Sequence, residues 1–439
     1  MSAASKIFGF RSSLLISLAV KFAVFLVGVA IIGPHSTINQ LTECGVSGGN
    51  PPVYIAPFGD VEAYTDYRDL YLRCLVTPFL GGSSAYNLPI VYNYPPLFLY
   101  TLAIFAKVNL IWFPAIPLIL FDALTVIPVY LIGRDFLFKG NQKLAFVISL
   151  VWIFNPINLF YSDLMWLNPA PTTFFLLLAI LFFLKKNWIA SSAALAVSTG
   201  FKQISVLVFP ILLIALWKTV GFSRRLFAFV ASYIGFLVLI SVPYIYQNPQ
   251  QYLWALQLPI LGNPPGTGNG TPTQFVYNLS QPTRLTTFIG LIKFTNLQSL
   301  AVATYGYLNY AFISIAIVLF AWLFLRRSKV SKEEILSYSF IIIALFFALF
   351  GRGVYKYYFL TLTPLGALIF SSKKAMIMFE VFSIALVMLP REVTPWLAIL
   401  LITLIPSFGL NLGGETIVSP AVPPGSVENL NTDDQTEAT

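Results

Sequence analysis

The chain has 439 residues, of which 57% are hydrophobic and 10% are charged, and its formal net charge is +9. A water-soluble globule of this composition would expose large contiguous apolar patches, so the composition excludes an ordinary soluble domain and favours a membrane protein. The positive charge does not indicate nucleic-acid binding, because the Lys and Arg residues lie in short clusters beside apolar runs and not on one basic face.

Apolar runs recur along the chain, and several approach the roughly 20 residues that a helix needs to cross about 30 Å of hydrocarbon. Because a helix satisfies its own backbone hydrogen bonds in lipid, these runs predict an all-α, polytopic membrane bundle. The first run contains Lys21 and lacks a clear cleavage site before Pro34, so we interpret it as a retained first span and not as a signal peptide. Clear examples of the runs are 14–32, 144–160, 226–242 and 310–325.

Basic residues flank these runs, and the positive-inside rule places them in the cytoplasm. If every basic cluster lies in the cytoplasm, then 97–106 must be a short dipping or interfacial segment and not a full crossing. For the same reason 188–217 must consist of two short helices that meet near 200–203. About twelve crossings then result, with both termini in the cytoplasm. The clusters are Lys6 and Arg11; Arg134, Lys139 and Lys143; Lys185 and Lys186; Lys218, Arg224 and Arg225; 326–332; and Lys373 and Lys374.

With this order of crossings, which we call the parity of the spans, most of the remaining polar residues fall on the extracytoplasmic side. The only two cysteines, Cys44 and Cys74, lie in the first outer loop, where the sequence is compatible with a disulfide and equally with two free thiols. The predicted parts are a bundle over 1–412, a long first outer loop at 34–96, a second at 247–298, short outer segments at 162–168, 200–203, 351–357 and 391–392, and an acidic, disordered C-terminal tail at 413–439.

The first outer loop holds four carboxylates and one arginine close together, in the segment 58–69 (FGDVEAYTDYRD). A carboxylate near an apolar interface can act as the general base that takes a proton from an acceptor hydroxyl, and Asp60 is our candidate. Asp60 and Glu62 would also suit a divalent ion, so metal dependence stays open. The competing interpretation is a solvated loop helix with internal ion pairs. The candidate catalytic residues are Asp60, Glu62 and Asp66, and the candidate substrate-lining residues here are Tyr64, Arg68 and Tyr94.

Three cations on the same predicted side are candidates for binding a phosphate. Lys202 lies between two apolar half-spans, where an unpaired charge is costly, so a phosphate or a carboxylate such as Asp163 is expected beside it. Arg352 and Lys356 lie in the glycine-containing turn 351–358 (GRGVYKYY), and their alternative role is to anchor lipid headgroups. Gln203 and Tyr355 are further candidates for lining the substrate site.

These residues resemble short motifs of the GT-C membrane glycosyltransferases, especially the dolichyl-phosphate-glucose-dependent glucosyltransferases of asparagine-linked glycosylation. The segment 58–63 (FGDVEA) is similar to the family's Gly-Asp-aromatic-Glu-Ala signature, with Val61 replacing the aromatic residue. The segment 94–97 (YPPL) is similar to its Tyr-Pro-Pro-Leu, and 201–203 (FKQ) to its Tyr-Lys-Gln on a broken helix pair. Of the family's His-Glu-Lys element near the donor phosphate, only Lys356 matches.

A further segment, 64–69 (YTDYRD), is similar to the Tyr-Thr-Asp-Ile-Asp of the GPI-anchor mannosyltransferases, so the motifs do not choose between glucose and mannose. The resemblance implies a GT-C-like fold and inverting transfer of a hexose from a polyprenyl or dolichyl phosphate to a lipid-linked or protein-linked glycan. The active site would face the outside of a plasma membrane or an ER-type membrane. Asp60 would deprotonate the acceptor, while Lys356, Arg352 and Lys202 would stabilise the departing lipid phosphate.

Two other functions compete with this hypothesis. A transporter or lipid flippase would also need broken helices and an intramembrane Lys202, but it predicts internal repeats and a charge network at the bilayer midplane, and the sequence displays neither. A noncatalytic membrane subunit would use the acidic loop for docking. In that case Asp60→Asn should leave the activity of the complex intact.

Single cysteines introduced at Lys186 and Thr271 test the predicted topology. We expect Lys186→Cys and Thr271→Cys to react with a membrane-impermeant maleimide from opposite sides of the membrane, because the predicted crossings place Lys186 in the cytoplasm and Thr271 on the extracytoplasmic side. The unmodified chain, with Cys44 and Cys74, sets the background. Labelling of both positions from the same side would contradict the parity.

Overall fold

All regular secondary structure in the described part of the chain is helical, which confirms the predicted all-α class. The computed structural model describes residues 9–32, 66–83, 95–109, 112–250, 252–253, 295–349, 356–389 and 394–407. The α-helices are α1 (Phe10–Ile32), α2 (Thr77–Leu80), α3 (Pro96–Ala106), α4 (Ala115–Leu124), α5 (Val126–Ile132), α6 (Gln142–Ile153), α7 (Pro169–Leu184), α8 (Trp188–Phe201), α9 (Phe209–Val220), α10 (Arg224–Gln247), α11 (Thr295–Leu325), α12 (Lys332–Leu349), α13 (Thr363–Ile369), α14 (Lys373–Met388) and α15 (Thr394–Ser407). The π-helical segments are Asp66–Val76, Gly133–Leu137 and Asn158–Leu164, and the 3₁₀ segments are Gln203–Val208 and Lys356–Thr361.

Four helical stretches in the described residues are long and apolar enough to cross a membrane. A fifth results if α6 and the segment Asn158–Leu164, which meet at 61°, form one bent span. The predicted total of about twelve crossings, which counted shorter segments as well, therefore stays a prediction. The four stretches are Phe10–Ala30, Ala115–Leu137, Gln203–Val220 and Arg224–Gln247, and the shorter apolar helices are Pro96–Ala106, Pro169–Leu184, Trp188–Phe201, Tyr310–Leu325 and Trp396–Ile405.

Two irregularities predicted from the sequence are present in the structure. Helix α3 has 11 residues and begins after Pro95, which is extended. At 1.5 Å per residue it is about 17 Å long, too short to cross the hydrocarbon, as expected for a dipping segment. The second irregularity is the break near 200–203. Lys202 is extended, with φ −157° and ψ 131°, and it separates α8 from the 3₁₀ segment Gln203–Val208.

Helix α1 packs against α4, α5, α6 and the segment Asn158–Leu164. Helix α8 packs mainly between α7 and α10, with α3 at its side. The 3₁₀ segment Lys356–Thr361 lies against α7, α13 and Asn158–Leu164. The segment Asn158–Leu164 therefore contacts elements from the beginning, the middle and the end of the chain.

Three of the basic clusters predicted to share the cytoplasmic side are in contact. The Arg326 guanidinium binds Glu334 through two hydrogen bonds, of 2.5 Å and 2.7 Å, and this bonding raises the pKa of Arg326 further above its usual value. Lys218 donates to the carbonyl oxygen of Arg326. Lys332 donates to the carbonyl oxygen of Phe136, which lies between Arg134 and Lys139 of another basic cluster. We call this region the basic end of the bundle.

Four helices beside basic clusters begin with a side-chain cap. In each case an Asn or Ser side chain accepts a hydrogen bond from a first-turn backbone N–H, which satisfies a group that the helix itself cannot pair. Such caps are typical of helix starts at a polar boundary. The capping residues are Asn141 before α6, Asn187 before α8, Ser223 before α10 and Ser372 before α14.

The structure decides between the two states of the cysteines that the sequence left open. Cys74, in the segment Asp66–Val76, is disulfide-bonded, and Cys44 is the only other cysteine of the chain. Structural disulfides persist in oxidising compartments and are rare in the cytosol. The bond therefore agrees with the prediction that the first long loop lies outside the cytoplasm.

Helices α13 and α14 approach each other closely at Gly366, and this contact gives a test of the packing. A Cβ atom at Gly366 would lie 2.4 Å from the ring of Phe379, which is buried and stacked on Phe370. We expect Gly366→Ala to lower the unfolding temperature in detergent, because overpacking costs about 1–3 kcal/mol. The matched control is Gly235→Ala in α10, where a Cβ meets no described atom within 4 Å. Equal unfolding temperatures for the two variants would contradict the packing.

Candidate functional site

The helix break at Lys202 lies beside an aromatic pair from a distant part of the chain. The Lys202 ammonium is 3.4 Å from the ring centroid of Tyr358 and 5.4 Å from that of Tyr357, within the range of cation–π interactions. Its Nζ also donates a hydrogen bond of 3.1 Å to Oδ1 of Asn168. We call Lys202, Asn168, Tyr357 and Tyr358 the Lys202 cluster. It joins three of the short polar segments that the sequence placed on the outer side.

Serine side chains stabilise the break from within the protein. The Lys202 N–H donates to the carbonyl oxygen of Ser198, and the hydroxyls of Ser198 and Ser205 lie 2.6 Å apart on the two sides of the break. Ser198 also donates to the carbonyl oxygen of Thr172 in α7, at 2.7 Å. Broken helices are tolerated in a membrane where the surrounding protein provides polar contacts, and these serine contacts link the two sides of the break to each other and to α7. The break is therefore a fixed part of the architecture.

The Lys202 cluster lies far along α10 from the basic residues at the start of that helix. A Cβ atom at Gly200 would be 3.2 Å from Cγ2 of Ile240, so the break packs against the later part of α10. Ile240 follows Arg224, the basic first residue of α10, by sixteen residues, which is about 24 Å of helix. This separation agrees with the prediction that the basic clusters and the polar segments occupy different faces.

Lys356, predicted as a ligand of the donor phosphate, is buried and bonded within the protein. Its Nζ donates to the carbonyl oxygen of Val387 at 3.1 Å, and the residue is 2% exposed. This contact fixes the start of the segment Lys356–Thr361 to the end of α14. Gln203, predicted as a lining residue, follows Lys202 directly and is half-buried. Lys202 and Lys356 are both buried and bonded within the protein, and the phosphate-binding role of each stays a prediction.

Much of the predicted acidic site cannot be compared with the structure. For Asp66 and Arg68 only the helical backbone is described, although Tyr67 between them is buried with its ring 5.2 Å from that of Trp166. The metal alternative rests on the first loop as well. Within the described ranges there is no group of three or more His, Cys, Asp or Glu residues that could hold a metal ion. The candidates outside the described residues are Asp60, Glu62, Tyr64, Tyr94, Arg352 and Tyr355.

A second charged cluster, which our sequence analysis did not predict, lies in the interior of the bundle. Lys21 Nζ is 2.7 Å from Oδ2 of Asp122 and 2.8 Å from Oδ2 of Asp163, and all three side chains are at most 1% exposed. We call these residues the Lys21 cluster. Asp163, suggested as a partner of Lys202, thus contacts Lys21. Both Lys21 and Asp122 lie within apolar runs, so the rule that singled out Lys202 would also have identified them.

The Lys21 cluster fixes α1 in the bundle. Lys21 lies near the middle of α1, Asp122 lies in α4 and Asp163 lies in the segment Asn158–Leu164. Removing one partner from a buried ion pair is strongly destabilising, because the remaining charge is left without compensation in apolar surroundings. The two ion pairs therefore set the rotation and depth of α1 against two separate elements.

Sequence comparisons do not place the chain in a family: no protein-family model matches it, and no curated protein matches its sequence. The resemblance to the GT-C glycosyltransferases therefore rests on its short motifs. The contacts of the described residues provide separate evidence about which of those motifs lie near one another.

The contact of Lys202 with Tyr358 can be tested by comparing Tyr358→Leu with Tyr358→Phe. Both variants lack the hydroxyl group, so a difference between them reports on the ring. We expect the unfolding temperature of Tyr358→Leu to be lower, because a desolvated cation–π contact contributes about 2 kcal/mol. The measurement is thermal unfolding in one detergent. If the difference between these variants disappears when Lys202→Met is also present, the ring acts through Lys202; an unchanged difference would contradict the contact.

Proposed function

We propose that the protein is a membrane glycosyltransferase with a GT-C-like bundle of about twelve spans. It would transfer a hexose, with inversion, from a polyprenyl or dolichyl phosphate to a lipid-linked or protein-linked glycan on the extracytoplasmic face. The observation that carries the proposal is the contact of Lys202 with Asn168 and Tyr358. It brings together three polar segments, far apart in the chain, which include the predicted donor-phosphate segments.

Lys202 is the residue that best suits the departing phosphate. As the bond between the sugar C1 and the phosphate oxygen breaks, negative charge grows on the lipid phosphate, and an ammonium group in apolar surroundings stabilises it. In the structure the Lys202 ammonium is held by an amide oxygen and two aromatic faces. A phosphate anion binds an ammonium more strongly than an amide oxygen or an aromatic face does, so a donor phosphate would suit this position. Tyr357 and Tyr358 would then pack against the sugar or the isoprenoid.

Asp60 would act on the opposite side of the sugar. In an inverting transfer the acceptor oxygen attacks C1 from the face opposite to the phosphate, and its proton passes to the base. The predicted base lies in the first loop, whose acidic segment continues to Tyr67. The ring of Tyr67 contacts Trp166, two residues before Asn168 of the Lys202 cluster. This contact supports a shared site for the acidic segment and Lys202.

The Lys21 cluster raises a second candidate function, a transporter or lipid flippase. The sequence alone did not display the midplane charge network that a transporter or lipid flippase predicts, whereas the structure has a buried Lys and two buried Asp residues in contact. Charged groups inside a membrane bundle often mark pathways for ions or protons. This candidate requires movement of a substrate across the bilayer without transfer of the sugar.

The proposed function is tested with purified protein in liposomes, a glycan acceptor and a panel of polyprenyl-phosphate sugars that includes glucose and mannose donors. We expect one donor to be consumed. Asp60→Asn should lower the rate by about 10²–10⁴-fold through loss of the base. Lys202→Met should lower it by about 10²–10³-fold through loss of charge stabilisation. Lys374→Met, which changes an exposed lysine at the start of α14, is the matched control and should leave the rate unchanged.

The same assay separates the alternatives. Absence of transfer from every donor, with protein that unfolds cooperatively, would remove the transferase proposal. Movement of an intact donor to the inner leaflet would instead support the flippase. Addition of a chelator tests the metal alternative, because activity that is lost with the chelator and restored by Mg²⁺ would show that transfer needs a divalent ion, for which Asp60 and Glu62 are the candidate ligands.

A further inference from the structure

The turn 163–168 links the Lys21 cluster to the Lys202 cluster. Asp163 begins the turn and forms an ion pair with Lys21, and Asn168 ends it and accepts the hydrogen bond from Lys202. Between them Trp166 is fully buried and has a φ of 55°. A bulky residue at positive φ is strained and persists only where its surroundings hold it. The turn is therefore a strained connection between two charged groups.

Two kinds of contact hold this turn in place. Its backbone is closed by hydrogen bonds of 3.0 Å from the Met165 N–H to the carbonyl oxygen of Phe160 and from the Leu167 N–H to that of Tyr161. The turn also packs against α1 at Gly28. A Cβ atom there would lie 2.8 Å from the carbonyl oxygen of Leu164 and 3.2 Å from the Trp166 ring. Glycine is thus the residue that lets α1 approach the turn.

The two carboxylates of the Lys21 cluster hold different kinds of structure. Asp122 lies within Ala115–Leu137, a continuous helical stretch that has its own backbone hydrogen bonds. Asp163 lies near the end of Asn158–Leu164 and is the first residue of the strained turn. The ion pair of Lys21 with Asp122 joins two helices, whereas the pair with Asp163 holds an irregular segment. The loss of each pair should therefore have a different consequence.

We propose that Lys21 is a positioning residue that acts through Asp163. The Lys21 ammonium in α1 holds the turn 163–168 in place. The turn positions the amide oxygen of Asn168 beside Lys202, and this contact fixes the direction of the Lys202 ammonium. The identity of the anion that Lys202 meets, a polyprenyl phosphate, rests on the proposed function. The mechanical link from Lys21 to Asn168 does not depend on it.

Two matched pairs of variants test this link. Asp163→Asn and Asp122→Asn each remove one carboxylate from the same cluster and leave Lys21 with the other. Gly28→Ala pushes on the turn from α1 without changing any charge, and Gly235→Ala adds the same methyl group where no described atom lies within 4 Å. Thermal unfolding in detergent first establishes that all four variants are folded. Because two independent changes act on the turn, poor folding of one leaves the other to decide.

The first measurement is hydrogen exchange of the turn, without any ligand. We expect the amides of Met165 and Leu167 to exchange faster in Asp163→Asn and Gly28→Ala than in their controls, because the turn is released from α1. The second is binding of a polyprenyl monophosphate. We expect Asp163→Asn and Gly28→Ala to bind about tenfold more weakly than Asp122→Asn and Gly235→Ala. A merely structural cluster would make the two Asp variants equal in both measurements.

Equal exchange within either folded pair overturns the inference. Where the wild-type protein binds the polyprenyl monophosphate, a separation in exchange without a separation in binding overturns it as well. If the wild-type protein binds no polyprenyl monophosphate, the proposed transferase is what fails, and the exchange data still decide whether Lys21 holds the turn. The two proposals therefore fail through different observations.

Discussion

The cost of placing a charge inside an apolar bundle is the constraint on which the arrangement of this protein depends. An ionisable group buried away from water needs a partner, because solvation by apolar side chains is far weaker than solvation by water. Lys21 meets this need with two carboxylates at ion-pair distance. Lys202 meets it with an amide oxygen and two aromatic faces. The first arrangement joins α1 to two other elements of the bundle, while the second places an ammonium at a helix break.

The same constraint explains why the two ends of the bundle differ. At the basic end the charged side chains bind one another or backbone carbonyl groups, as in the paired hydrogen bonds of Arg326 with Glu334. At the other end, polar residues gather where helices are interrupted: Lys202 at a break, Asn168 after a turn and Lys356 at the start of a 3₁₀ segment. Irregular backbone leaves polar groups that must be satisfied inside the protein. Places where the helices stop are therefore also places where polar side chains can converge.

The sequence predicted the features that depend on local patterns. The all-α class follows from the length of the apolar runs, the short α3 follows from Pro95 and Pro96, and the break at Lys202 follows from the sidedness of its neighbouring basic clusters. The partners of the buried charges could not be predicted from the sequence. A run of apolar residues indicates that Lys202 needs a partner, but it does not indicate that Asn168 is one. Asp163 was an equally reasonable choice until α1 was placed beside it.

The Lys21 cluster and the strain at Trp166 belong to the same class of unpredicted features. Lys21, Asp122 and Asp163 meet only because α1, α4 and the segment Asn158–Leu164 pack together, and nothing in the spacing of the sequence records that packing. The positive φ of Trp166 is likewise imposed by its surroundings, because the intrinsic preference of a tryptophan opposes it. Lys356 matches a known motif, so the sequence identified it as a candidate. Its contact with the carbonyl oxygen of Val387 depends on the packing of the fold and could not be predicted.

The geometry of the Lys21 cluster also bears on the choice between a transferase and a transporter. A site in a transport pathway must open alternately to water on the two sides of the membrane, so its charged groups need room to exchange partners. The three side chains here are at most 1% exposed and in direct contact, and Gly28 lets α1 close tightly on the adjacent turn. Opening such a cluster would separate buried ion pairs and release a strained backbone at the same time. A closed cluster of this kind is better suited to holding a neighbouring site rigid, which the transfer chemistry proposed for Lys202 would require.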